Sequence, residues 1–263
     1  MTELQDIDFV ELSDEEMHLY SRQILLDGWD IEAQEKLKLA NVLIVGAGGI
    51  GCSSAELLAR AGVGKITLID ADTIEISNLQ RQIGYSTKDI GKAKIDLMKQ
   101  RLTEINPEIK TRLIKNKMSE EQLSMELLLA DCVLDCTDNM TSRQLINRAC
   151  VKRKTPVIVG AAIRFEGQLM FFNHTNNESA CYHCLFPNNE EQALNCSNAG
   201  IIGPVVGTIG ALQALEAIKY ITGLPSGAEN KLKLFDGKTL DWQTFAINKN
   251  TLCNVCGNKE ENK

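Results

Sequence analysis

The segment Val42-Leu43-Ile44-Val45-Gly46-Ala47-Gly48-Gly49-Ile50-Gly51 decides the fold of this chain. Its four aliphatic residues predict a buried strand, and the glycines after them predict a tight turn into a helix. Glycines suit such a turn, because a side chain would keep phosphate oxygens away from the backbone N–H groups at the helix N-terminus. The spacing of Gly46, Gly48 and Gly51 therefore predicts a phosphate-binding corner, a pattern that many nucleotide-binding proteins share.

An acidic residue and a polar cluster follow the glycine turn. A second strand is predicted over Lys65 to Asp70, and Asp70 comes nineteen residues after Gly51. At that spacing a carboxylate accepts hydrogen bonds from ribose hydroxyls, in NAD sites and ATP sites alike. The polar cluster Ser77-Asn78-Leu79-Gln80-Arg81 comes next. This part of the chain therefore predicts nucleotide binding without choosing the nucleotide.

Two charged residues further along are candidate ligands for phosphate and metal. Lys94 falls in the first turn of a helix predicted over Lys92 to Ile105, where the helix dipole disfavours a cation unless an anion is near. Lys94 is thus either a phosphate ligand or a frayed surface lysine. Asp138 follows the strand predicted over Cys132 to Cys136, at the rim where open α/β sheets bind ligands. It could hold Mg²⁺ beside nucleotide phosphates, or only cap the next helix.

The order of predicted elements gives the fold class. Helices and strands alternate as far as the strand Pro156 to Gly160, which predicts a Rossmann-like α/β fold with a mostly parallel sheet flanked by helices. Two later strands, Gly167 to Asn173 and Lys231 to Phe235, predict antiparallel additions at one edge. At the other end a capping box beginning at Ser13 opens a helix that we expect to run toward Leu26. We expect one domain over 1–263, with an N-terminal helical arm at about 13–40.

Two cysteine pairs predict a metal site. Cys181-x-x-Cys184 and Cys253-x-x-Cys256 each have the spacing at which two thiolates bind one ion, and four thiolates in a tetrahedron favour zinc. Such a site leaves no open coordination position, so we expect the zinc to be structural; the alternative is unrelated free thiols. Since 68 residues separate the pairs, the metal would staple a C-terminal part, about 165–257, to the rest. His183 is predicted to be a bystander.

The remaining cysteines and the N-terminus indicate the compartment. Nine cysteines is an odd number, and the polar N-terminus is not a secretory signal, so we expect a reducing cytoplasm rather than a disulfide framework. Cys196 lies in a polar stretch, Pro187 to Asn198, and is either a reactive thiol or an inert loop cysteine. The other four are predicted to be small hydrophobic residues of the core: Cys52, Cys132, Cys136 and Cys150.

Composition argues against two classes of partner. The formal net charge of −7 speaks against nucleic acid, which usually requires a basic face; the acidity more simply aids solubility. The most apolar run, Ala199 to Thr222, contains Gln213, Glu216 and Lys219, which would be costly in lipid. We therefore expect a buried loop and helix there, and no membrane partner.

Six motifs together resemble the family of ubiquitin-activating-type adenylyltransferases, which charge bacterial sulfur-carrier proteins in molybdopterin and thiamine synthesis. The resemblance extends from about residue 13 to Gly257. The matching residues are Tyr20-Ser21-Arg22-Gln23-Ile24, the glycine turn, Ser77-Asn78-Leu79-Gln80-Arg81-Gln82, Gly91-x-x-Lys94, Asp135-Cys136-Thr137-Asp138-Asn139 and the two cysteine pairs.

The resemblance implies a role for each matching residue. It implies magnesium at Asp138, and it implies that Arg22 reaches the nucleotide of the neighbouring subunit across a homodimer. The carrier is expected to dock on the late strands and to extend its flexible Gly-Gly tail toward the α-phosphate. The residues expected to contact ATP are Gly49, Asp70, Ser77, Asn78, Leu79, Gln80, Arg81, Lys94, Asp138 and Asn139.

The chemistry of that family suits these residues. A carrier's terminal carboxyl has a pKa near ~3.5, so it is ionised at neutral pH and needs no general base. Its attack on the α-phosphorus of ATP expels pyrophosphate and leaves an acyl-adenylate. Negative charge builds on the phosphoryl oxygens and the leaving group. The groups expected to stabilise it are Arg22, Arg81, Lys94 and magnesium at Asp138.

The branch of the family stays open. The segment 160–168 resembles the molybdopterin enzymes, whereas 203–207 and 215–219 look closer to the thiamine enzymes. Cys196 matches a loop cysteine that bonds to the carrier in the thiamine branch, which would make it a participant in the chemistry. In the molybdopterin branch a cysteine stands there without that duty.

Three other functions compete with the adenylyltransferase. An NAD-dependent oxidoreductase would use the glycines and Asp70 but leave Arg81, Lys94 and Asp138 without a role. A zinc-stapled scaffold without activity would be favoured if the basic residues were missing, and they are present. An enzyme of the same fold that adenylates a modified tRNA base fits the acidic balance less well.

Overall fold

The computed structural model describes residues 10–187 and 199–257. Its centre is one sheet of eight strands. The strands are β1 (Asn41–Val45), β2 (Lys65–Ile69), β3 (Lys110–Ile114), β4 (Cys132–Asp135), β5 (Val157–Ile163), β6 (Glu166–Phe172), β7 (Lys231–Asp236) and β8 (Asp241–Ala246).

The helices of the described residues flank this sheet. They are α1 (Asp14–Leu19), α2 (Ser21–Ile24), α3 (Asp30–Leu39), α4 (Gly49–Ala61), α5 (Lys94–Ile105), α6 (Glu120–Glu126), α7 (Met140–Arg153), α8 (Tyr182–Leu185) and α9 (Gly203–Thr222). Short 3-10 helices lie at Ile76–Asn78, Thr87–Asp89 and Leu127–Leu129.

The strand order, β3-β2-β1-β4-β5-β6-β7-β8, confirms the predicted fold class. The first five strands of that order are parallel, and the chain leaves β1 toward β2 and β3 before it crosses to β4 on the other side. The carboxyl ends of β1 and β4 therefore border the crevice where doubly wound sheets bind ligands. Val45 at the end of β1 is in register with Ile69 of β2 and Asp135 of β4.

The last three strands are antiparallel, as predicted, and form one edge. The β5–β6 hairpin turns at Arg164, which has a left-handed φ of 53°. The chain then makes a long excursion through α8 and α9 before it returns as β7. Two strands were not predicted. Both β3 and β8 are edge strands with several polar residues, so neither has the continuous apolar run that marks a central strand.

One helix prediction needs correction. The predicted helix from Ser13 toward Leu26 is two helices, α1 and α2, separated at Tyr20. The Tyr20 ring is buried and its hydroxyl accepts a hydrogen bond of 2.7 Å from Asn106, so tertiary contacts fix its non-helical backbone. Further along the chain, α6 ends at Glu126 and the backbone continues as a 3-10 turn.

Each face of the sheet buries its own core. Because strand side chains alternate, Val42 and Ile44 of β1 face one core, while Leu43 faces the other. The first core is covered by α3, α4, α5 and α9, and the second by α6, α7 and α8. The apolar run predicted to be buried is α9, which packs against α4 so closely that a Cβ on Gly210 would lie 2.7 Å from the Ile50 carbonyl. None of the described helices has both the length and the apolarity to cross a bilayer.

Candidate active site and metal centre

The glycine turn between β1 and α4 allows three close backbone approaches. Gly46 has a φ of +98°, and a Cβ there would lie 2.9 Å from the Cys136 carbonyl oxygen. A Cβ on Gly51 would lie 1.9 Å from the Gly46 oxygen, and one on Gly49 would lie 2.9 Å from the Arg81 oxygen. Gly48 is the N-cap of α4 and provides no side-chain cap. The first N–H groups of α4 thus have no side-chain partner, which fits an anionic group at this helix N-terminus.

The peptide groups of Ala47 are held from two sides. Its N–H donates to Asp70 Oδ2 at 2.7 Å, and its carbonyl accepts from the Tyr85 hydroxyl at 2.8 Å. The other carboxylate oxygen of Asp70 accepts the Asp72 N–H at 2.7 Å. Asp70 therefore supports the glycine turn in addition to its predicted ribose role. Tyr85 is buried, which raises its pKa, and no motif in the sequence pointed to it.

The predicted polar cluster divides into buried and exposed residues. Asn78 is buried and accepts the Glu75 N–H at 3.2 Å, and Leu79 packs against the first core. Ser77 and Gln80 are exposed, and Arg81 donates to the Ser77 carbonyl at 2.9 Å. The exposed polar groups are the members of the cluster that a ligand can reach directly.

Gln82 carries a signal that the sequence did not single out. It is 4% exposed, and its Nε2 would lie 3.7 Å from a Cβ on Gly48. Its Oε1 is buried and has no hydrogen-bond partner within the described residues. An unsatisfied buried acceptor beside the glycine turn fits a bound group that donates a hydrogen bond. Gln82 belongs to the polar motif, and its place there was the only sequence signal.

Lys94 is not a frayed surface lysine, so that alternative was wrong. It is the first residue of α5, its side chain is 8% exposed, and its Nζ lies 2.9 Å from Asp72 Oδ2. Asp72 supplies the anion that a cation at a helix N-terminus requires. The Asp72 side chain is 62% exposed, so this ion pair borders the solvent beside Asp70. Sequence reasoning missed Asp72, although it stands only two residues after Asp70.

Asp138 does not cap α7, so the capping alternative was also wrong. Asn139 is the N-cap residue, and its Oδ1 accepts the Ser142 N–H at 2.9 Å. Asp138 is exposed, and among the described residues its carboxylate accepts one hydrogen bond, a long one of 3.4 Å from the Asn139 side chain. A carboxylate with free lone pairs at the end of β4 fits a hard cation such as Mg²⁺, which takes one or two protein carboxylates beside nucleotide phosphates.

The fold thus gathers most of the predicted nucleotide residues at one rim of the sheet, where the parallel strands have their carboxyl ends. The glycine turn, Asp70 and Asp138 follow β1, β2 and β4, whose last residues are in register. Arg22 lies elsewhere. The next residue, Gln23, donates at 3.1 Å to the Ala61 carbonyl at the far end of α4. Since α4 has 13 residues, that end is about 18 Å from the glycine turn. Arg22 is exposed, with no side-chain partner in the described parts of the chain.

The four predicted metal ligands come together as expected, and their sulfur atoms all lie within 4.8 Å of one another. The distances are 3.9 Å for Cys181–Cys184, 3.8 Å for Cys181–Cys253 and 3.3 Å for Cys184–Cys256. A tetrahedron of sulfurs at about 2.3 Å from zinc has edges of about 3.8 Å, so the cluster fits zinc.

Polar groups around the cluster point at the sulfurs. The backbone N–H groups of Asn250 and Val255 lie 3.5 Å and 3.4 Å from the sulfurs of Cys184 and Cys253, and Asn147 Nδ2 lies 3.6 Å from Cys181. Hydrogen bonds to sulfur favour the thiolate, which is the form that binds metal. His183 bonds to Gln144 at 3.2 Å and is no part of the cluster, as predicted.

The cysteines outside the cluster follow the predictions as far as the structure describes them. Cys52, Cys132, Cys136 and Cys150 are buried. Burial raises the pKa of the Cys52 thiol to about 12 and raises those of the other three, so none of them is reactive at neutral pH. Cys196 lies outside the described residues.

Comparison with known proteins adds to this geometry. The model of the ThiF family matches residues 20–255. The chain is 47% identical to the sulfur carrier protein ThiS adenylyltransferase of Escherichia coli K12, over 94% of this chain and 97% of that protein. It is 43% identical to the molybdopterin-synthase adenylyltransferase of the same organism, over 94% of this chain and 99% of that protein. The crystal structure of E. coli MccB with ATP aligns with a TM-score of 0.80 at 27% identity, covering 91% of this chain and 75% of that one.

Proposed function

Because this chain belongs to the ThiF family, we propose that it transfers the adenylyl group of ATP to the C-terminal glycine carboxylate of a small ubiquitin-like sulfur carrier. One observation supports the proposal above the others. At the carboxyl ends of the parallel strands, the uncapped N-terminus of α4 lies near an exposed carboxylate, Asp138, that has no strong partner among the described residues. Anionic phosphates and the cation that accompanies them need these two features side by side.

The relatives support the reaction and its partner. Two E. coli relatives, which the chain matches over nearly their full length, are named for adenylylation of ThiS and of molybdopterin synthase. ATP as the substrate is supported by MccB, whose structure was solved with ATP and whose identity to this chain is 27%. The oxidoreductase and the tRNA-modifying enzyme are not favoured, because the named relatives are adenylyltransferases.

The chain's own residues suit each part of the reaction. The first N–H groups of α4 would bind phosphate oxygens, and Gln82 would accept a hydrogen bond from the nucleotide. Arg81 and Lys94 would stabilise the charge that builds on the phosphoryl oxygens and pyrophosphate. Asp138 and the nucleotide would hold Mg²⁺, which neutralises part of that charge when bound. For Lys94 to reach a phosphate, its ammonium would share or leave the 2.9 Å pair with Asp72.

A homodimer with Arg22 acting on the partner's nucleotide is part of the proposal. Arg22 is too far from its own glycine turn to act there, and large apolar side chains around it are exposed. They are Leu19 at 57%, Leu25 at 74%, Leu26 at 56% and Ile31 at 44% exposure. A cluster of this kind is typical of a protein interface, and burying it against a second copy would bring Arg22 to a partner.

We place carrier docking at the antiparallel edge. A cavity of about 460 Å³ lies there, between the β5–β6 turn and the start of α9. Phe165 on its wall, Trp242 and Phe245 of β8 and Leu240 are all exposed, and β8 leaves one edge unpaired. An unpaired edge with aromatic residues offers both backbone and apolar contacts to another protein. The start of α9 packs against Gln80, so this surface is continuous with the nucleotide residues.

The cysteine cluster and the cellular setting complete the proposal. We propose zinc in the cluster, held by Cys181, Cys184, Cys253 and Cys256, with a structural role. Eight described cysteines without a disulfide support a reducing, cytoplasmic location. The net charge of −7 supports a protein partner rather than nucleic acid.

ATP–pyrophosphate exchange with purified carriers tests the reaction. We expect radiolabel from pyrophosphate to enter ATP only when a carrier with a free Gly-Gly terminus is added, because exchange requires a reversible acyl-adenylate. A carrier that lacks its last glycine is the matched control and should support none. Two carriers, one from each pathway, identify the branch by which of them supports exchange. Exchange with neither, together with tight NAD binding, contradicts the proposal.

A further inference from the structure

Arg143 carries a charge where its helix disfavours one. It lies four residues after the N-cap Asn139, near the positive end of the α7 dipole. Its guanidinium donates twice to one acceptor, with Nη2 at 2.7 Å and Nε at 3.3 Å from the carbonyl oxygen of Thr137. Thr137 immediately precedes Asp138. The cation is therefore bound to the turn that carries the exposed carboxylate.

A buried carboxylate explains why a cation is stable there. Asp135 is 1% exposed, and its Oδ1 accepts from the Thr137 N–H at 3.0 Å and from the Thr137 hydroxyl at 2.6 Å. Burial raises the pKa of Asp135, and the positive charge of Arg143 opposes that rise. Burial lowers the pKa of Arg143, but Asp135 and its other neighbours more than offset that effect. Asp135 and Arg143 both bond to Thr137, and each stabilises the charge of the other.

A third contact limits the movement of the guanidinium. The Tyr182 hydroxyl interacts with Arg143, which opposes the rise that burial causes in the tyrosine pKa. Tyr182 follows the metal ligand Cys181, and its N–H donates to Asn147 at 2.8 Å. The guanidinium is therefore held by the end of β4, by the turn and by the segment that carries the first cysteine pair. None of these contacts involves the surface of Asp138 that a ligand would approach.

We propose that Arg143 is a positioning residue for Asp138. By binding the Thr137 carbonyl, it fixes the turn so that the Asp138 carboxylate faces a divalent cation bound with the nucleotide. This inference rests on the proposed function, because the metal at Asp138 is part of that proposal. It adds a residue that is not itself a ligand of nucleotide or metal, and that acts on Asp138 through the backbone of the turn and through the charge of its guanidinium.

Metal-dependent nucleotide affinity tests the role of Arg143. The affinity for a non-hydrolysable ATP analogue is measured by calorimetry with saturating Mg²⁺ and again in EDTA, without any carrier. In Arg143→Gln we expect the gain in affinity from Mg²⁺ to shrink roughly 10- to 100-fold, the usual loss when an outer partner of a metal ligand is removed. Affinity in EDTA should stay unchanged. Arg143→Lys, which can still donate once to Thr137, should fall between the parent and Arg143→Gln.

Arg148→Gln is the matched control, because it removes the same charge from the same helix. Arg148 pairs with Glu120 at 2.8 Å and does not contact the turn. It should behave as the parent. The inference is overturned if Mg²⁺ raises the affinity of Arg143→Gln for the ATP analogue as much as it raises that of the parent. It is also overturned if Arg143→Gln loses the same affinity with Mg²⁺ as in EDTA. If Arg143→Gln does not fold, Arg143→Lys decides by the same measurements. If Mg²⁺ does not raise the affinity of the parent protein for the ATP analogue, the proposed function is contradicted, and this inference with it.

Discussion

The rim of the parallel sheet and the cysteine cluster are built in opposite ways. The rim draws on residues that follow successive strands, and it leaves groups free: the amides at the start of α4, the Gln82 oxygen and the Asp138 carboxylate. The cluster draws on pairs separated by 68 residues, and its sulfurs contact one another and nearby N–H groups. Cys181 and Cys253 are buried, and Cys184 and Cys256 are half-buried.

This difference indicates that the rim binds a ligand, whereas the cysteine cluster stabilises the fold. Unsatisfied polar groups cost free energy in the empty protein and are retained where a ligand satisfies them. A closed set of four thiolates has no vacant coordination position, so a metal there contributes to folding rather than to chemistry. Changes at the rim should therefore affect activity with little effect on stability, and changes in the cluster should do the reverse.

Asp138→Ala should give the largest effect at the rim. Loss of the exposed carboxylate that follows β4 would remove several kcal/mol of charge stabilisation by the metal, so exchange should fall by about a thousandfold. The melting temperature should hardly change, because Asp138 is exposed and its carboxylate accepts one long hydrogen bond within the described residues. Asp14→Ala, which removes another exposed aspartate, is the control and should keep full exchange. Retained exchange in Asp138→Ala would show that the metal is held elsewhere.

The rim was more predictable from the sequence than its supports. Strand, glycine turn and strand-end carboxylate are local patterns, so the sequence alone is enough to assign the glycines, Asp70 and Asp138 to one rim of the sheet. A local pattern did not reveal which of two adjacent residues, Asp138 or Asn139, caps α7. That choice depends on where the backbone leaves β4, and the structure gives it to Asn139.

The supporting residues depend on contacts between distant parts of the chain. Gln213 of α9 is fully buried and donates to the carbonyls of Asp135 and Ile158 at 3.0 Å and 2.7 Å. In the sequence it was only a polar residue that made a membrane span improbable. Tyr20 interrupts the first helix through its contact with Asn106, 86 residues away. Helical periodicity carries no information about such contacts. The sequence therefore did not predict the helix break at Tyr20 or the buried hydrogen bonds of Gln213.

Cys253→Ser should give the largest effect in the cluster. The variant should lose about one metal ion per chain, because a serine hydroxyl is a poor zinc ligand. Loss of a structural metal costs several kcal/mol, and each kcal/mol lowers the melting temperature by ~2–4 °C in a chain of this size. We therefore expect melting to fall by about 10 °C. Metal content is measured by plasma mass spectrometry and melting by circular dichroism.

Cys150→Ala is the matched control for the cluster. It removes a buried thiol from α7 without touching the four sulfurs, so it should lose some packing energy and keep its metal. A parent protein without metal, whose melting is unchanged by Cys253→Ser, would contradict the distinction between an open rim and a closed staple.

Tyr85→Phe should give the smallest effect. It tests whether the glycine turn of the rim must be held rigid by the side chains behind it. The Tyr85 hydroxyl donates at 2.8 Å to the Ala47 carbonyl, on the opposite side from the Asp70 bond to the Ala47 N–H. If the glycine turn must be held rigid to present its amides, loss of one hydrogen bond, about 1 kcal/mol, should raise the KM for ATP about fivefold. The exchange rate at saturating ATP should change less, because no group that contacts the reacting atoms is removed.

Tyr220→Phe separates positioning from a general loss of stability. Tyr220 packs edge-on against Phe171, and its hydroxyl makes no hydrogen bond within the described parts of the chain. Both variants lose one hydroxyl, but only Tyr85 contacts the turn. If the KM for ATP rises in Tyr85→Phe and not in Tyr220→Phe, the Tyr85 hydroxyl holds the glycine turn rigid for nucleotide binding. Equal KM values in the two variants would mean that Asp70 alone is enough to hold Ala47.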